Sequence, residues 1–386
     1  MIRPFAHRMK DIEPFRVVEV LGRAQQLEAQ GRSICHMEAG EPDFETAAPI
    51  REAGIRALQA GYTGYSAAAG IPALREAIAN YYLTDYGLKI APERIMVTAG
   101  ASGALLLAAA LLVNPGDGML MTDPGYPCNR HFLRLVEGEG QLVPVTAEDR
   151  FQLTAALAKA HWRENTMGVM VASPANPTGE ILTSEELAAL FEFVESQSGC
   201  MVVDEIYHGL DYDKRSPSIL SLTDQAFVIS SFSKYFGMTG WRLGWLVAPL
   251  DAVPELEKLA QNLFISLSTP AQHAALACFE PTTRGILDGR REIFQQRRDF
   301  LLPELRKLGF EIPHSPAGGF YLYANASRHT RDSQKFCIDL LEQHGVALTP
   351  GLDFGRYRAN EYVRFAFTTG IEKLEQAVER LQFLIE

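Results

Sequence analysis

The chain has few cysteines and no paired cysteine motif. Its 386 residues contain five cysteines, which lie far apart at Cys35, Cys128, Cys200, Cys278 and Cys337. Because no CxxC pair occurs, the sequence predicts neither a zinc site nor a disulfide framework. Reduced, buried thiols are the expected state of these cysteines. The histidines show no metal-ligand spacing either, so we predict no metal site.

Long apolar runs and a surplus of basic residues are also missing. The most apolar segment, Ala104–Val113, is too short to span a bilayer. The first residues, Met1–Phe5, lack the apolar core of a signal peptide. The formal net charge is −11, whereas nucleic acids and anionic membranes are bound by basic surfaces. We therefore expect a cytoplasmic protein with no nucleic-acid partner and no membrane partner.

The pattern of short apolar runs predicts an α/β protein. From about residue 94 to residue 231, such runs alternate with helical patterns. This alternation is typical of a mainly parallel sheet covered by helices on both faces. After about residue 270 the pattern changes to a long helical stretch followed by the strands Gly318–Tyr323 and Tyr362–Thr368. The later pattern indicates a smaller α+β domain.

The length of the chain supports a division into two domains. A chain of 386 residues exceeds the size at which a single core stops growing. We predict a large domain at residues 46–270. Residues 1–45 and 271–386 would form an N-terminal arm and a small C-terminal domain.

Small or polar residues stand at or just after the ends of the predicted parallel strands. They are Gly100, Asp123, Ser173, Asp204 and Ser231. In open α/β sheets, ligands bind at the carboxyl ends of the strands. This edge of the sheet is therefore the predicted binding site.

One lysine stands among small hydroxyl residues in the segment Ser230–Lys234 (SSFSK), and Arg242 follows eight residues later. An amine that forms an imine with an aldehyde cofactor must lose its proton, which burial beside another cation promotes. A cofactor phosphate is held by hydroxyls, backbone N–H groups and a bidentate arginine. Pyridoxal 5'-phosphate (PLP) needs both features together, so the motif predicts a PLP site.

Taken together, these motifs resemble the PLP-dependent aminotransferases of fold type I, class I and II. The resemblance covers nearly the whole chain, from Gly40–Phe44 (GEPDF) to Val363–Phe365 (VRF). It implies the PLP-dependent transferase fold. In that fold, a large domain with a mainly parallel central sheet and helices on both faces is joined to a smaller α+β domain.

The resemblance implies roles for the residues around the cofactor ring. Lys234 resembles the Schiff-base lysine that also acts as general base at the substrate α-carbon. Asp204 resembles the aspartate that pairs with the pyridine nitrogen, and a buried carboxylate needs such a partner. Tyr207 and Asn176 resemble the residues that bind the ring oxygen, although an asparagine between two prolines is also a good turn residue. Tyr126 is placed like the aromatic residue that stacks over the ring.

The phosphate site would combine several weak signals. A Gly-rich turn ends one strand and opens a helix, which leaves free N–H groups for an anion. The contacts that the resemblance implies come from the backbones of Ala101 and Ser102 and from the side chains of Ser231, Arg242 and, as a supporting neighbour, Ser233.

Other residues would bind the substrate and the second subunit. Arg364 resembles the arginine that grips the substrate α-carboxylate, for which a planar guanidinium is suited. Gly40 resembles the glycine that lies close to that carboxylate, and Asn176 would also contact the substrate. Tyr65 matches the tyrosine that reaches the phosphate of the other subunit, with Tyr62 as a nearby alternative. If Tyr65 has this role, the protein is a homodimer whose active site is shared across the interface.

The resemblance implies a ping-pong aminotransferase acting on an L-amino acid and a 2-oxo acid. A C–S β-lyase with the same fold and cofactor is the main alternative. A PLP-binding regulator without catalytic activity would need an N-terminal DNA-binding module. The roughly forty residues before the family motifs are expected to be too few for one. Relatives that handle aspartate or prephenate carry a lysine where Ser102 stands, which disfavours a dicarboxylate preference. Phe15, Val17 and Tyr65 are candidates for lining a neutral, aromatic-tolerant pocket.

Overall fold

A seven-stranded sheet forms the centre of the computed structural model, which describes residues 5–385. Residues 1–4, part of the segment in which no signal peptide was predicted, and residue 386 lie outside the described residues. The strands of residues 5–385, which include those of the smaller sheets, are β1 (Cys35–His36), β2 (Ile95–Thr98), β3 (Gly118–Asp123), β4 (Glu139–Pro144), β5 (Thr166–Ala172), β6 (Cys200–Asp204), β7 (Phe227–Ser231), β8 (Gly244–Val247), β9 (Tyr321–Asn325), β10 (Val346–Ala347), β11 (Thr349–Pro350) and β12 (Tyr362–Ala366).

The central sheet is mainly parallel. Its strand order is β2-β8-β7-β6-β5-β3-β4, and only β8 runs antiparallel to its neighbours within the described part of the chain. The carboxyl ends of the other strands therefore meet at one edge of the sheet. The predicted α/β class with a mainly parallel sheet is confirmed.

Helices connect the strands and cover the sheet. They are α1 (Arg16–Ala29), α2 (Ala48–Gln59), α3 (Pro72–Tyr86), α4 (Gly100–Leu112), α5 (Cys128–Leu135), α6 (Ala155–His161), α7 (Ser184–Ser196), α8 (Val253–Leu263), α9 (Thr269–Leu276), α10 (Pro281–Lys307), α11 (Ser333–Asp339) and α12 (Ile371–Arg380). None of the helices in residues 5–385 is both long and apolar enough to cross a membrane.

Apart from the polar edge strand β4, the central sheet is buried on both faces because its strands are mainly apolar runs. Along β6, Met201 and Val203 belong to one buried cluster and Val202 belongs to another. Apolar residues of α7 join the first cluster, and those of α4 and α8 join the second. Alternate side chains of a strand point to opposite faces, so these clusters are the two layers of core between the sheet and its helices.

The C-terminal part of the chain forms a separate three-stranded sheet. Its strands have the order β11-β12-β9 and are antiparallel. The N-terminal segment joins this part of the chain, because β1 pairs in parallel with β10. The predicted domain boundaries near residues 45 and 270 remain a prediction.

The structure differs from the predicted pattern at two places after residue 270. The long helical stretch is divided into α9 and α10 by a short 3₁₀ turn, and α10 starts at Pro281, where a missing N–H group costs little. The strand predicted to start at Gly318 starts at Tyr321 instead. Gly319 has a positive φ of 70° and Gly318 packs against the ring of Pro174, so this segment is a tight turn.

Candidate active site

A cavity of about 440 Å³ opens at the carboxyl edge of the central sheet. Cavities of this size suit a small-molecule ligand. The predicted site residues that line it are Gly40, Ala101, Ser102, Tyr126, Asn176, Asp204, Tyr207, Ser233, Lys234, Arg242 and Arg364. Ser231 and Tyr65 do not line it. The fold thus brings together residues that are as far as 324 positions apart (Gly40 to Arg364).

Lys234 lies in the loop that follows β7 and extends into this cavity. Its Nζ donates a hydrogen bond to the carbonyl oxygen of Gly40 at 2.5 Å. The same nitrogen lies over the rings of Tyr207 and Phe320, at 5.9 and 5.7 Å from their centroids. Among the described residues, Gly40 is the one hydrogen-bond partner of this amine, and the nearby Asp204 interacts with its charge. The amine can therefore exchange that partner for a ligand.

Asp204 is the last residue of β6 and is only 4% exposed. Burial raises the pKa of its carboxyl group to about 7, although the N–H group of Ile206, bound at 3.0 Å, and the charge of Lys234 act in the opposite direction. Few groups offset the lost hydration of this buried carboxyl group, so it is suited to bind a cationic partner inside the cavity. A protonated pyridine nitrogen is such a partner.

The raised pKa of Asp204 predicts how the PLP-free protein responds to pH. The folded state binds more protons than the unfolded chain between the ordinary pKa of 3.8 and the folded value of about 7. The free energy of unfolding should therefore fall as the pH rises through this window. In the Asp204→Asn variant, this fall in the free energy of unfolding should be smaller by roughly 1 to 4 kcal/mol.

Urea unfolding of the PLP-free protein at pH 5, 6 and 7.5 measures this effect. Glu205 also makes the free energy of unfolding fall as the pH rises, since burial raises the pKa of its carboxyl group to about 8. The difference between wild type and the Asp204→Asn variant therefore reports the titration of Asp204 together with the smaller change that loss of its charge causes in the pKa of Glu205. Parallel pH dependences of the two proteins would contradict the prediction.

Three tyrosines and an asparagine surround the middle of the cavity. The hydroxyl groups of Tyr207 and Tyr321 are hydrogen-bonded at 3.0 Å. Asn176 accepts a hydrogen bond through Oδ1 from Nη1 of Arg364 at 3.0 Å, which leaves its amide donor for a ligand. The ring of Tyr126 lines the cavity on its β3 side. Sequence reasoning missed Tyr321, although it lies in the predicted strand Gly318–Tyr323.

One end of the cavity is built by the start of α4. Its N-cap residue is Ala99, which has no side chain that could cap the helix, so the first N–H groups of α4 are available for an anion. Gly100 has a φ of +68°, and a Cβ atom there would lie 2.7 Å from Nη2 of Arg242. Glycine at this position therefore lets the guanidinium of Arg242 approach the helix N-terminus. The combination of free N–H groups and a guanidinium fits a phosphate.

The two serines of the lysine segment lie at different depths. Ser233 lines the cavity, whereas Ser231 is buried beside it. Their Oγ atoms are 3.0 Å apart, and Oγ of Ser231 also accepts the N–H of Ser233 at 3.0 Å. Ser231 therefore orients Ser233 in this structure, and its own contact to a phosphate remains a prediction.

Arg364 is a buried cation without an acidic partner among its hydrogen bonds. It is 2% exposed and donates to Asn176, to the carbonyl oxygen of Glu38 and to Oγ1 of Thr349. Its Nε is buried and has no hydrogen-bond partner within the described residues. A buried guanidinium requires an anion to compensate for its lost hydration, and a carboxylate matches its geometry.

Tyr65 and Tyr62 differ in their surroundings. The ring of Tyr62 stacks on His273 with a centroid distance of 4.2 Å. Tyr65 is 86% exposed and lies outside the cavity of its own chain. Of the two alternatives, Tyr65 is the one whose ring is free to reach another subunit.

An apolar part of the cavity lining was only partly predicted. Phe15 and Val17 line the cavity as expected, and Val18, Leu21 and Leu105 do so as well. The amphipathic pattern of α1 was a signal for Val17, Val18 and Leu21, but it did not reveal what the helix would cover. No cluster of three or more His, Cys, Asp or Glu side chains in residues 5–385 is arranged to hold a metal ion.

Comparison with known proteins identifies relatives over nearly the full length. The sequence profile of the family described as aminotransferase class I and II matches residues 32–381. The chain is 37% identical over 372 residues to the valine–pyruvate aminotransferase of Mycobacterium tuberculosis, and the match covers 96% of both chains.

Solved structures agree with the sequence relatives. A crystal structure of an aminotransferase from Mycobacterium tuberculosis is 36% identical, with a TM-score of 0.95 over 98% of both chains. The aspartate aminotransferase of Thermus thermophilus with maleate is 32% identical, with a TM-score of 0.94 over 99% of this chain and 100% of that one. This chain therefore belongs to the class I and II aminotransferases of fold type I, the family that its motifs resemble.

Proposed function

We propose that this protein transfers an amino group between an L-amino acid and a 2-oxo acid in a ping-pong reaction, with Lys234 at the reacting centre. PLP-dependent amino transfer is the chemistry of the family. The observation that supports the residue assignment is the convergence of Lys234, Asp204 and Arg242 on one cavity. An amine, a buried acid and a phosphate-binding cation are the three groups that PLP requires.

When bound, PLP supplies an aldehyde for the amino group and a ring that withdraws electrons from the substrate α-carbon. Lys234 would hold it covalently through the ε-amine. Asp204 would keep the ring nitrogen protonated, because a cation beside this buried carboxylate favours its charged form. Tyr207 and Asn176 would bind the ring oxygen, and the ring of Tyr126 would fix the plane of the pyridine.

The phosphate would be held at the start of α4. Arg242 supplies the charge, and the backbones of Ala101 and Ser102 supply N–H donors at the positive end of the helix dipole. Ser233 supplies a hydroxyl group at the same end of the cavity, and Ser231 supports it.

The substrate would be positioned by its α-carboxylate. Arg364 would bind this group, and Asn176 and the backbone of Gly40 would lie beside it. Once the substrate amine takes the place of Lys234, the freed lysine amine would move the proton of the substrate α-carbon. The hydrogen bond from Lys234 to Gly40 supports this assignment, because it places the amine next to the residue expected at the substrate carboxylate.

The functional unit would be a homodimer in which Tyr65 contacts the phosphate bound by the other subunit. The exposure of Tyr65 supports this assignment, as do the exposed apolar side chains of Ile55 and Leu58 on α2. Sedimentation of the PLP-loaded protein tests the dimer. Tyr65→Ala should weaken PLP binding about tenfold, whereas a fully active monomer would refute the shared site.

The reaction is tested by following the visible absorbance of the PLP-loaded protein while each standard amino acid is added. Amino acids that convert the cofactor should then give up their amino group to a 2-oxo acid. Release of pyruvate and ammonia from a cysteine-type substrate, without amino transfer, would instead identify the alternative C–S β-lyase.

A further inference from the structure

An apolar wall from α1 closes one side of the active-site cavity. We use the term apolar wall for Phe15, Val17, Val18 and Leu21, which all line the cavity. The ring of Phe15 meets the ring of Tyr126 edge to face, with a centroid distance of 6.3 Å. Val18 is 59% exposed, which provides apolar surface that a substrate side chain can bury.

The position of this wall is fixed by the rest of the fold. The buried carboxylate of Asp353 accepts the N–H groups of Arg16 at 2.9 Å and Val17 at 3.4 Å, at the first turn of α1. On its other face, α1 packs through Val20, Ala24 and Leu27 into a buried cluster with Ile34, Leu341 and Ala347. The helix therefore presents one apolar face to the core and part of a second to the cavity.

The described lining offers no spare cation for a second carboxylate. Its lysines and arginines are Lys234, Arg242 and Arg364, and each already has a role in the proposed function. The two arginines of α1 have partners elsewhere, since Arg16 donates to Gln334 at 3.2 Å and Arg23 forms an ion pair with Glu342 at 2.5 Å.

An acidic side chain at the cavity also disfavours a substrate with a second carboxylate. Glu41 lines the cavity and accepts a hydrogen bond from the hydroxyl group of Thr239. A substrate side chain with a carboxylate would meet an apolar wall and a like charge. Both oppose binding, because a desolvated carboxylate needs a cation or hydrogen-bond donors.

We infer that the side-chain subsite selects uncharged, apolar side chains in both half-reactions. This inference rests on the proposed function, because a ping-pong enzyme binds its amino donor and its 2-oxo acceptor in the same cavity in turn. The donor is therefore an aliphatic or aromatic L-amino acid, and the acceptor is a monocarboxylic 2-oxo acid rather than a dicarboxylic one.

The first test compares amino acids and unreactive acids on the PLP-loaded protein. For cofactor conversion, kcat/KM with L-leucine, L-valine or L-phenylalanine should exceed that with L-aspartate and L-glutamate by at least about 100-fold. In calorimetric titrations, 4-methylpentanoate should bind at least about tenfold more tightly than glutarate.

The two measurements separate this inference from the proposed function. A failure of every amino acid to convert the cofactor would refute the function, while the titrations would still decide the side-chain preference. Reaction with aspartate or glutamate within tenfold of the best apolar amino acid would overturn the inference, as would equal binding of the two acids. That result would indicate a cation supplied by the second subunit.

Variants of the apolar wall provide a second test. Phe15→Ala should lower kcat/KM for L-leucine and L-phenylalanine about tenfold more than that for L-alanine, because only the larger side chains reach the wall, whereas any effect through Tyr126 is common to all three substrates. Val17→Lys should raise kcat/KM for L-glutamate at least tenfold. Glu19→Ala, an exposed change on the same helix outside the cavity, is the matched control and should change neither value.

Thermal unfolding of each variant checks that α1 remains folded. If Val17→Lys does not fold, the inference is tested by comparing the kcat/KM values of Phe15→Ala with those of Glu19→Ala. An equal loss for L-alanine and L-phenylalanine in Phe15→Ala would show that the wall acts on structure alone, and would overturn the inference.

Discussion

Replacing Lys234 by alanine is expected to lower the rate of amino transfer at least about 10⁴-fold. The side chain is assigned two tasks, covalent attachment of PLP and movement of the α-proton, and proton transfer alone contributes about 10² to 10⁴ in enzymes. The fold should be retained, because within the described part of the chain the Nζ of Lys234 makes a single hydrogen bond, to Gly40. Turnover of an amino acid and a 2-oxo acid by the PLP-saturated variant measures the loss.

A lysine elsewhere on the protein provides the control for this variant. Lys258 is exposed on α8, and its ammonium group pairs with Glu255 on the same helix. Lys258→Ala should therefore keep the activity of the wild type. A Lys234→Ala protein that folds, binds PLP and turns over within tenfold of the wild type would contradict the assignment of Lys234.

Replacing Arg364 by glutamine is expected to lower kcat/KM for every amino acid at least about 100-fold. The guanidinium is buried, and within residues 5–385 its hydrogen-bond partners are neutral and its Nε has none. The substrate α-carboxylate would be the anion that binds it directly, and loss of one partner of a buried charge pair typically costs about 2–5 kcal/mol. The affinity for PLP should change little, because the phosphate is assigned to Arg242.

The measurement must separate substrate binding from loss of stability. Arg298 is an equally buried arginine outside the cavity, where it binds Asp213 and the carbonyl oxygen of Pro316. Arg298→Gln should lower the melting temperature without a selective loss of kcat/KM. An Arg364→Gln variant that loses only stability would show that Arg364 supports the fold and does not bind substrate.

Much of the central sheet was predictable because its strands are local signals. The runs that became β2, β6 and β7 are apolar and end on the residues that line or support the cavity. β4 and β8 were not recognised. β4 is a polar edge strand, so it lacks the continuous apolar run of a strand buried on both faces. β8 is apolar and buried along its length, but it is only four residues long and follows directly on the loop that carries Arg242, where so short a run is an ambiguous signal.

The parts of the site that were missed depend on contacts between distant residues. Tyr321 became relevant because its hydroxyl group meets that of Tyr207, which lies 114 positions earlier. The position of α1 depends on Asp353, which is 337 positions after Arg16. Local periodicity predicts that α1 is a helix with an apolar face, but only the assembled fold shows that part of this face covers the cavity.

The most direct measurement for the central claim is chemical mapping of the cofactor attachment. The PLP-loaded protein is reduced with sodium borohydride, digested and analysed by peptide mass spectrometry. The account predicts one pyridoxyl phosphate group per chain, on the ε-nitrogen of Lys234. Absence of the added mass, or its attachment to a different lysine, would contradict it.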